Sequence, residues 1–62
     1  MTAYQQGYSE FSDYKHRFTI ETARAILDEY EQIIDRYKRH GLQAVDYTWE
    51  ADYIRGGRDA TR

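Results

Sequence analysis

The sequence predicts an all-α fold: a long central amphipathic helix, from about residue 20 to 40, with a shorter helix on either side. Apolar residues recur every three or four positions through most of the chain, which is the period of an α-helix. Proline is absent, and the four glycines fall at only three points, 7, 41 and 56–57, where helices are expected to end or begin. We expect a small three-helix or helical-hairpin domain, with a homodimer as an open possibility.

The central helix has the clearest pattern and the clearest ends. Thr19 is placed to cap its first turn, and Gly41 to end it in a left-handed conformation. A helix of this length, roughly 30 Å at about 1.5 Å per residue, needs both flanking segments to cover it. Its apolar stripe, which we expect to face the core, comprises Ile20, Ala23, Leu27, Tyr30, Ile34 and Tyr37, widened by Ile26 and Ile33.

The following segment, 42–55, is predicted to be a helix with two apolar faces. A short strand over 44–49 is the alternative, because Val45, Tyr47 and Trp49 alternate with polar residues. We expect Gly56-Gly57 to end this helix and residues 56–62 to form a short polar tail of a single domain, 1–62.

In the first segment, five aromatic residues share one helical face. Gly7 lies inside this pattern, where glycine is less favourable than alanine by about 1 kcal/mol. Two alternatives follow: the helix begins at Ser9, or it runs through Gly7 because another backbone approaches closely there. We assign Phe11, Tyr14 and Phe18 to the core. We assign Tyr4 and Tyr8 to a partner surface.

Composition narrows the function classes. With no cysteine and only two distant histidines, we expect no metal site and no cofactor. A net charge of −2 disfavours sequence-independent coating of nucleic acid. No apolar run approaches the roughly 20 residues of a membrane span, and no signal-peptide pattern opens the chain, so we expect a cytoplasmic protein without membrane contact.

Binding is a better expectation than catalysis. The chain lacks a phosphate loop, and a Ser12–His16 pairing has no evident oxyanion hole, so we expect no enzyme activity. Aromatics make up 16% of the residues, and tyrosine, tryptophan and arginine are enriched at binding hot spots. The predicted partner-binding residues are Tyr4, Tyr8, Tyr47, Trp49, Tyr53, Arg55 and Arg58. An acidic face for a basic partner is predicted at Asp28, Glu31, Asp35, Asp46 and Glu50.

Two stretches at the chain ends carry a family resemblance. Residues 3–8 read Ala-Tyr-Gln-Gln-Gly-Tyr, and residues 53–60 read Tyr-Ile-Arg-Gly-Gly-Arg-Asp-Ala. In this order they resemble ribosome modulation factor and the small phage proteins similar to it, although Gly57 stands where that family has a second aromatic. The resemblance implies binding to the ribosome or to RNA through the ends that carry Tyr8 and Arg58.

A second set of residues resembles another family. Ser12-Asp13-Tyr14, Arg17, residues 19–22 and Ile26 are similar to a segment of the Hha-type nucleoid modulators. Those small helical proteins bind the dimerisation domain of the nucleoid protein H-NS, and the resemblance implies a protein partner of that kind.

These observations order the functional hypotheses. The first is a small non-catalytic regulator that binds a protein, such as a phage or mobile-element product that inhibits a host macromolecular machine. The alternatives are a ribosome- or RNA-binding protein of the modulation-factor kind and a self-assembling structural protein.

Overall fold

The computed structural model, which describes residues 1–41 and 47–62, confirms the all-α fold. Helix α1 spans Ala3–Arg17, α2 spans Ile20–Arg39 and α3 spans Thr48–Ala60. Helix α2 is the longest, with 20 residues, and its bounds match the predicted central helix. Helix α1 packs chiefly against α3, so the two ends of the described chain form the main interface.

Side-chain caps begin α1 and α2, and a glycine follows the end of α2. The Thr2 hydroxyl accepts a hydrogen bond from the backbone N–H of Gln5, whose side chain accepts one from the backbone N–H of Thr2. Thr19 caps α2 by accepting from the N–H of Thr22, as predicted. Gly41 adopts a φ of 75°, the left-handed conformation expected after the end of α2.

Helices α1 and α3 cross in backbone contact at two glycines. A Cβ at Gly7 would lie 2.8 Å from the carbonyl carbon of Tyr53 and nearer still to its oxygen. A Cβ at Gly56 would lie 2.9 Å from both the carbonyl carbon of Tyr4 and the backbone nitrogen of Tyr8. The α-hydrogens of the two glycines therefore point at the opposite backbone, an arrangement that only glycine permits. Of the two alternatives for Gly7, the close approach is correct, and α1 begins before Ser9.

This crossing explains why the predicted end of the third helix is wrong. Helix α3 continues through Gly56 and Gly57 to Ala60, and both glycines are buried. The expected polar tail over 56–62 is likewise absent: Ala60 and Thr61 are almost fully buried. Two cations from the other helices cap the end of α3, since Lys15 Nζ donates to the carbonyl oxygen of Ala60 and Arg24 Nε donates to that of Thr61, each at 2.8 Å.

The core is small and lies where the three helices meet. Its buried apolar residues are Phe11, Ala23, Leu27, Ile54 and Ala60, with Tyr14, Ile26, Ile34 and Tyr53 packed around them. Gly57 opens the space that the largest of these fill, because a Cβ there would lie 2.7 Å from a methyl carbon of Leu27 and 2.9 Å from the ring of Phe11. The core assignments of Phe11 and Tyr14 are therefore confirmed.

Two other expectations are corrected. Phe18 is 59% exposed rather than buried, because it is the residue after α1 at which the chain turns into α2. Helix α3 begins at Thr48, with Tyr47 as its N-cap, so the strand alternative is wrong for the described residues 47–49. The remainder of that prediction, over 42–46, lies outside the described residues.

Candidate functional site

An aromatic and arginine side-chain cluster lies over the α1–α3 crossing. The rings of Tyr4 and Tyr8 stack with centroids 6.4 Å apart. The guanidinium of Arg55, from α3, lies 5.6 Å from the centroid of the Tyr4 ring, within the range of a cation–π contact. Tyr8 is 46% exposed, and Arg55 is also largely exposed. We call these three residues the Tyr–Arg surface.

The Tyr–Arg surface is anchored and electrically balanced by carboxylates of α3. The Tyr4 hydroxyl donates a short hydrogen bond to the Asp59 carboxylate, which raises the pKa of Tyr4 above its ordinary value. Asp59 also forms an ion pair with Arg62, with 2.8 Å between the oxygen and the nitrogen. Arg55 pairs with Asp52 at 3.1 Å. Each arginine near this surface therefore has a carboxylate partner.

A second surface is an apolar groove between α2 and α3, with a volume of about 290 Å³. Trp49 and Tyr53 stack nearly parallel on the α3 side, with centroids 5.3 Å apart and planes at 13°. The Tyr53 hydroxyl reaches across to α1 and donates to Glu10 at 2.8 Å. Burial, followed by this hydrogen bond, raises the pKa of Tyr53 well above its usual range. We call this the aromatic groove; its lining is Tyr30, Ile33, Ile34, Tyr37, Tyr47, Trp49, Glu50, Tyr53 and Ile54.

The α2 wall of this groove was not predicted as a binding surface. Tyr30 and Tyr37 belong to the stripe assigned to the core, yet they are 39% and 47% exposed. In the described chain, α2 has no buried residue after Leu27, so its second half lacks the cover that the first half has. The signal in the sequence was the length of the helix, which needs both flanking segments as cover, whereas α1 packs chiefly against α3.

The predicted acidic face is divided rather than continuous. Asp28 and Glu31 both accept hydrogen bonds from Arg58, at 2.5 Å and 3.3 Å, and these bonds, that to Asp28 foremost, raise the Arg58 pKa above its ordinary value. Asp35 lines a separate shallow hollow together with Lys38, and Glu50 lines the aromatic groove. The fifth predicted acid, at position 46, lies outside the described residues.

The predicted partner residues therefore fall into three places. Tyr4, Tyr8 and Arg55 form the Tyr–Arg surface; Tyr47, Trp49 and Tyr53 line the aromatic groove. Arg58 belongs to neither, since it bridges α3 to α2 through two carboxylates. The segments that carry the ribosome modulation factor resemblance, 3–8 and 53–60, pack on each other at the crossing.

Metal-ligand clusters and membrane-spanning helices are absent from the described residues. Over residues 1–41 and 47–62, no three His, Cys, Asp or Glu side chains gather closely enough to hold a metal ion. None of the helices described is both long and apolar enough to span a bilayer.

Scans against protein-family models, curated proteins and solved structures find no match to this chain.

Proposed function

We propose that this chain is a small non-catalytic regulator that binds a protein through the Tyr–Arg surface, of the kind that phages and mobile elements direct at host macromolecular machines. The observation that carries the proposal is the stack of Tyr4, Tyr8 and Arg55 over the α1–α3 crossing. Tyrosine and arginine are the residue types in which binding energy is concentrated at protein interfaces.

The crossing below this surface favours tight recognition. Backbone contact at Gly7 and Gly56 fixes the spacing of the two helices, and the bond from Tyr4 to Asp59 ties one ring to both of them. A surface held in this way loses little conformational freedom when a partner binds. The rings therefore offer large contact area at a low entropic cost.

The charge pattern favours a protein over a nucleic acid. Binding to RNA requires cations that are available to phosphates. Arg55 and Arg62 instead contact Asp52 and Asp59, so a polyanion would meet a carboxylate beside each arginine. A mixed surface of this kind suits a protein partner that presents both signs of charge.

Affinity capture with matched variants tests the proposal. Tagged wild-type protein should retain one host complex, and Tyr8→Ala and Arg55→Ala should each weaken that retention roughly tenfold, the loss expected at a hot spot. Phe18→Ala is the control, because it removes an exposed aromatic ring away from the surface. The complex should survive nuclease treatment. Equal retention by all four proteins would overturn the proposal.

A second candidate function is binding to the ribosome or to RNA. It is favoured by one observation: the two segments that resemble ribosome modulation factor-like proteins, far apart in sequence, form one packed unit. This alternative predicts retention on ribosomes that falls steeply with salt and drops when Arg55 and Arg58 are replaced. Loss of the captured complex on nuclease treatment would favour it over a protein partner.

A further inference from the structure

The second half of α2 presents an apolar face with two-fold character. Tyr30, Ile33, Ile34 and Tyr37 occupy positions i, i+3, i+4 and i+7, which form a rhombus on one side of a helix. The centre of this rhombus lies between the two isoleucines, with one tyrosine a turn away in each direction. The same four residues form the α2 wall of the aromatic groove.

Charged residues flank this rhombus in an ordered way. Glu29 and Arg36 are seven residues, or about two turns, apart and lie on one flank. Glu31 and Lys38 have the same spacing and lie on the other flank. On both flanks the acid is on the N-terminal side of the centre and the base on the C-terminal side.

This arrangement distinguishes two ways of pairing a second copy. When two α2 helices run antiparallel about this centre, each flank lies beside the same flank of the other copy, which runs in the opposite direction. Glu29 then faces Arg36 of the other copy, and Glu31 faces Lys38 of the other copy. Parallel helices would place Glu29 against Glu31 and Arg36 against Lys38, which repel. We propose that the chain forms an antiparallel homodimer through the second half of α2, with the two-fold axis between Ile33 and Ile34.

The contacts within one copy leave one flank open for this pairing. Glu31 already pairs with Arg58, and Lys38 lies 5.6 Å from the Tyr47 ring. Within the described residues, Glu29 and Arg36 have no ion pair or side-chain hydrogen bond. We therefore expect the pairs between Glu29 and Arg36, formed twice by symmetry, to set the orientation.

A second copy would also cover the apolar area that one copy leaves open. Tyr30 and Tyr37 on α2 and Trp49 on α3, the last 51% exposed, all border the aromatic groove. Contiguous exposed apolar area of this kind marks an interaction surface. The dimer face shares no residue with the Tyr–Arg surface, so either proposal can fail without the other.

Charge reversal tests the orientation directly. Sedimentation equilibrium of the wild type should show a mass that rises with concentration from the 7.5 kDa of the monomer toward twice that value. Glu29→Arg and Arg36→Glu should each weaken the dimer roughly tenfold, since either change turns two attractive contacts into two repulsive ones. An equimolar mixture of the two variants should dimerise again, because each then faces an opposite charge. Arg39→Glu, on the far side of α2, is the control and should leave the dimer unchanged.

Cysteine cross-linking supplies a measurement that does not depend on charge. The chain has no cysteine, so Ile33→Cys introduces one thiol next to the proposed axis. It should form an intermolecular disulfide under mild oxidation, whereas Arg39→Cys should not. A wild type that stays monomeric at its solubility limit, or a mixture of the two charge variants that fails to dimerise, would overturn the proposal.

Discussion

Replacing Gly7 with alanine should destabilise the protein, although alanine is the better helix former. In an open helix this substitution would increase the free energy of unfolding by about 1 kcal/mol. Here the new Cβ would collide with the carbonyl group of Tyr53. A backbone group cannot rotate away as a side chain can, so α1 and α3 must separate.

The size of the effect follows from these opposing contributions. Overpacking a tight contact lowers stability by typically 1–3 kcal/mol, and a clash with backbone lies at or beyond the upper end of that range, roughly 3 kcal/mol. Because the gain of about 1 kcal/mol in helix propensity offsets part of this clash, we expect the free energy of unfolding to fall by about 2 kcal/mol. A chain of 62 residues has a total stability of roughly 3–9 kcal/mol, so much of it would be lost.

Urea unfolding, followed by far-ultraviolet circular dichroism, measures the effect. Ser9→Ala is the matched control, because it places alanine at an exposed position of the same helix and should be neutral or slightly stabilising. The double variant Gly7→Ala/Gly56→Ala should lose less stability than the sum of the losses of the two single variants, since one substitution already moves the helices apart. A Gly7→Ala protein more stable than the wild type would refute close backbone contact at the crossing.

Three further predictions use the same unfolding measurement. Gly57→Ala should be less destabilising than Gly56→Ala, because its Cβ meets side-chain atoms that can shift rather than backbone; equal losses would contradict this. Thr2→Ala should lower stability by about 1 kcal/mol through loss of the capping box, and no change would show that the cap is frayed in solution. The raised pKa of Tyr53 means that the unfolded chain ionises first, so stability should hold below about pH 10 and fall as the pH rises further. Tyr53→Phe should flatten that alkaline decline, and an unchanged slope would exclude Tyr53 as its source.

Local patterns predicted the elements whose ends are set by local chemistry. Helix α2 begins after Thr19 and ends before Gly41 because a side-chain cap and a left-handed glycine act on neighbouring residues only. The roles of Gly7 and Gly56 were harder to predict, because glycine can end a helix and can also permit close packing within one. These two roles differ in whether a backbone segment distant in sequence packs against the glycine, and the neighbouring residues do not contain that information.

A signal for that packing was nevertheless present. Gly7 follows Ala3 by four residues, and Ala60 follows Gly56 by four. Each helix thus carries two small residues one turn apart, a spacing that lets helix backbones approach closely. Together these pairs indicate that α3 continues through its glycines and that residues 56–62 do not form a polar tail.

The candidate surfaces were predicted in part, for a similar reason. The residue types identified Tyr8 and Trp49 as exposed aromatics, and both are about half exposed. The sequence did not show that they lie on different surfaces, because that depends on how α1 and α2 sit around α3. Nor did it show that Arg58 pairs with two carboxylates, since those partners are 27 and 30 residues away.

The α1–α3 crossing also has a consequence for the order in which the chain folds. Its side-chain hydrogen bonds join residues 43 to 55 positions apart, which is most of the length of this 62-residue chain. Helical bundles fold fast when their contacts are local in sequence. A contact between distant residues first requires the closure of a long loop, and the entropy lost in this closure slows folding. Helix α1 is synthesised before α3, which is its main partner. We therefore expect folding to wait until α3 is synthesised, and then to occur in a single step.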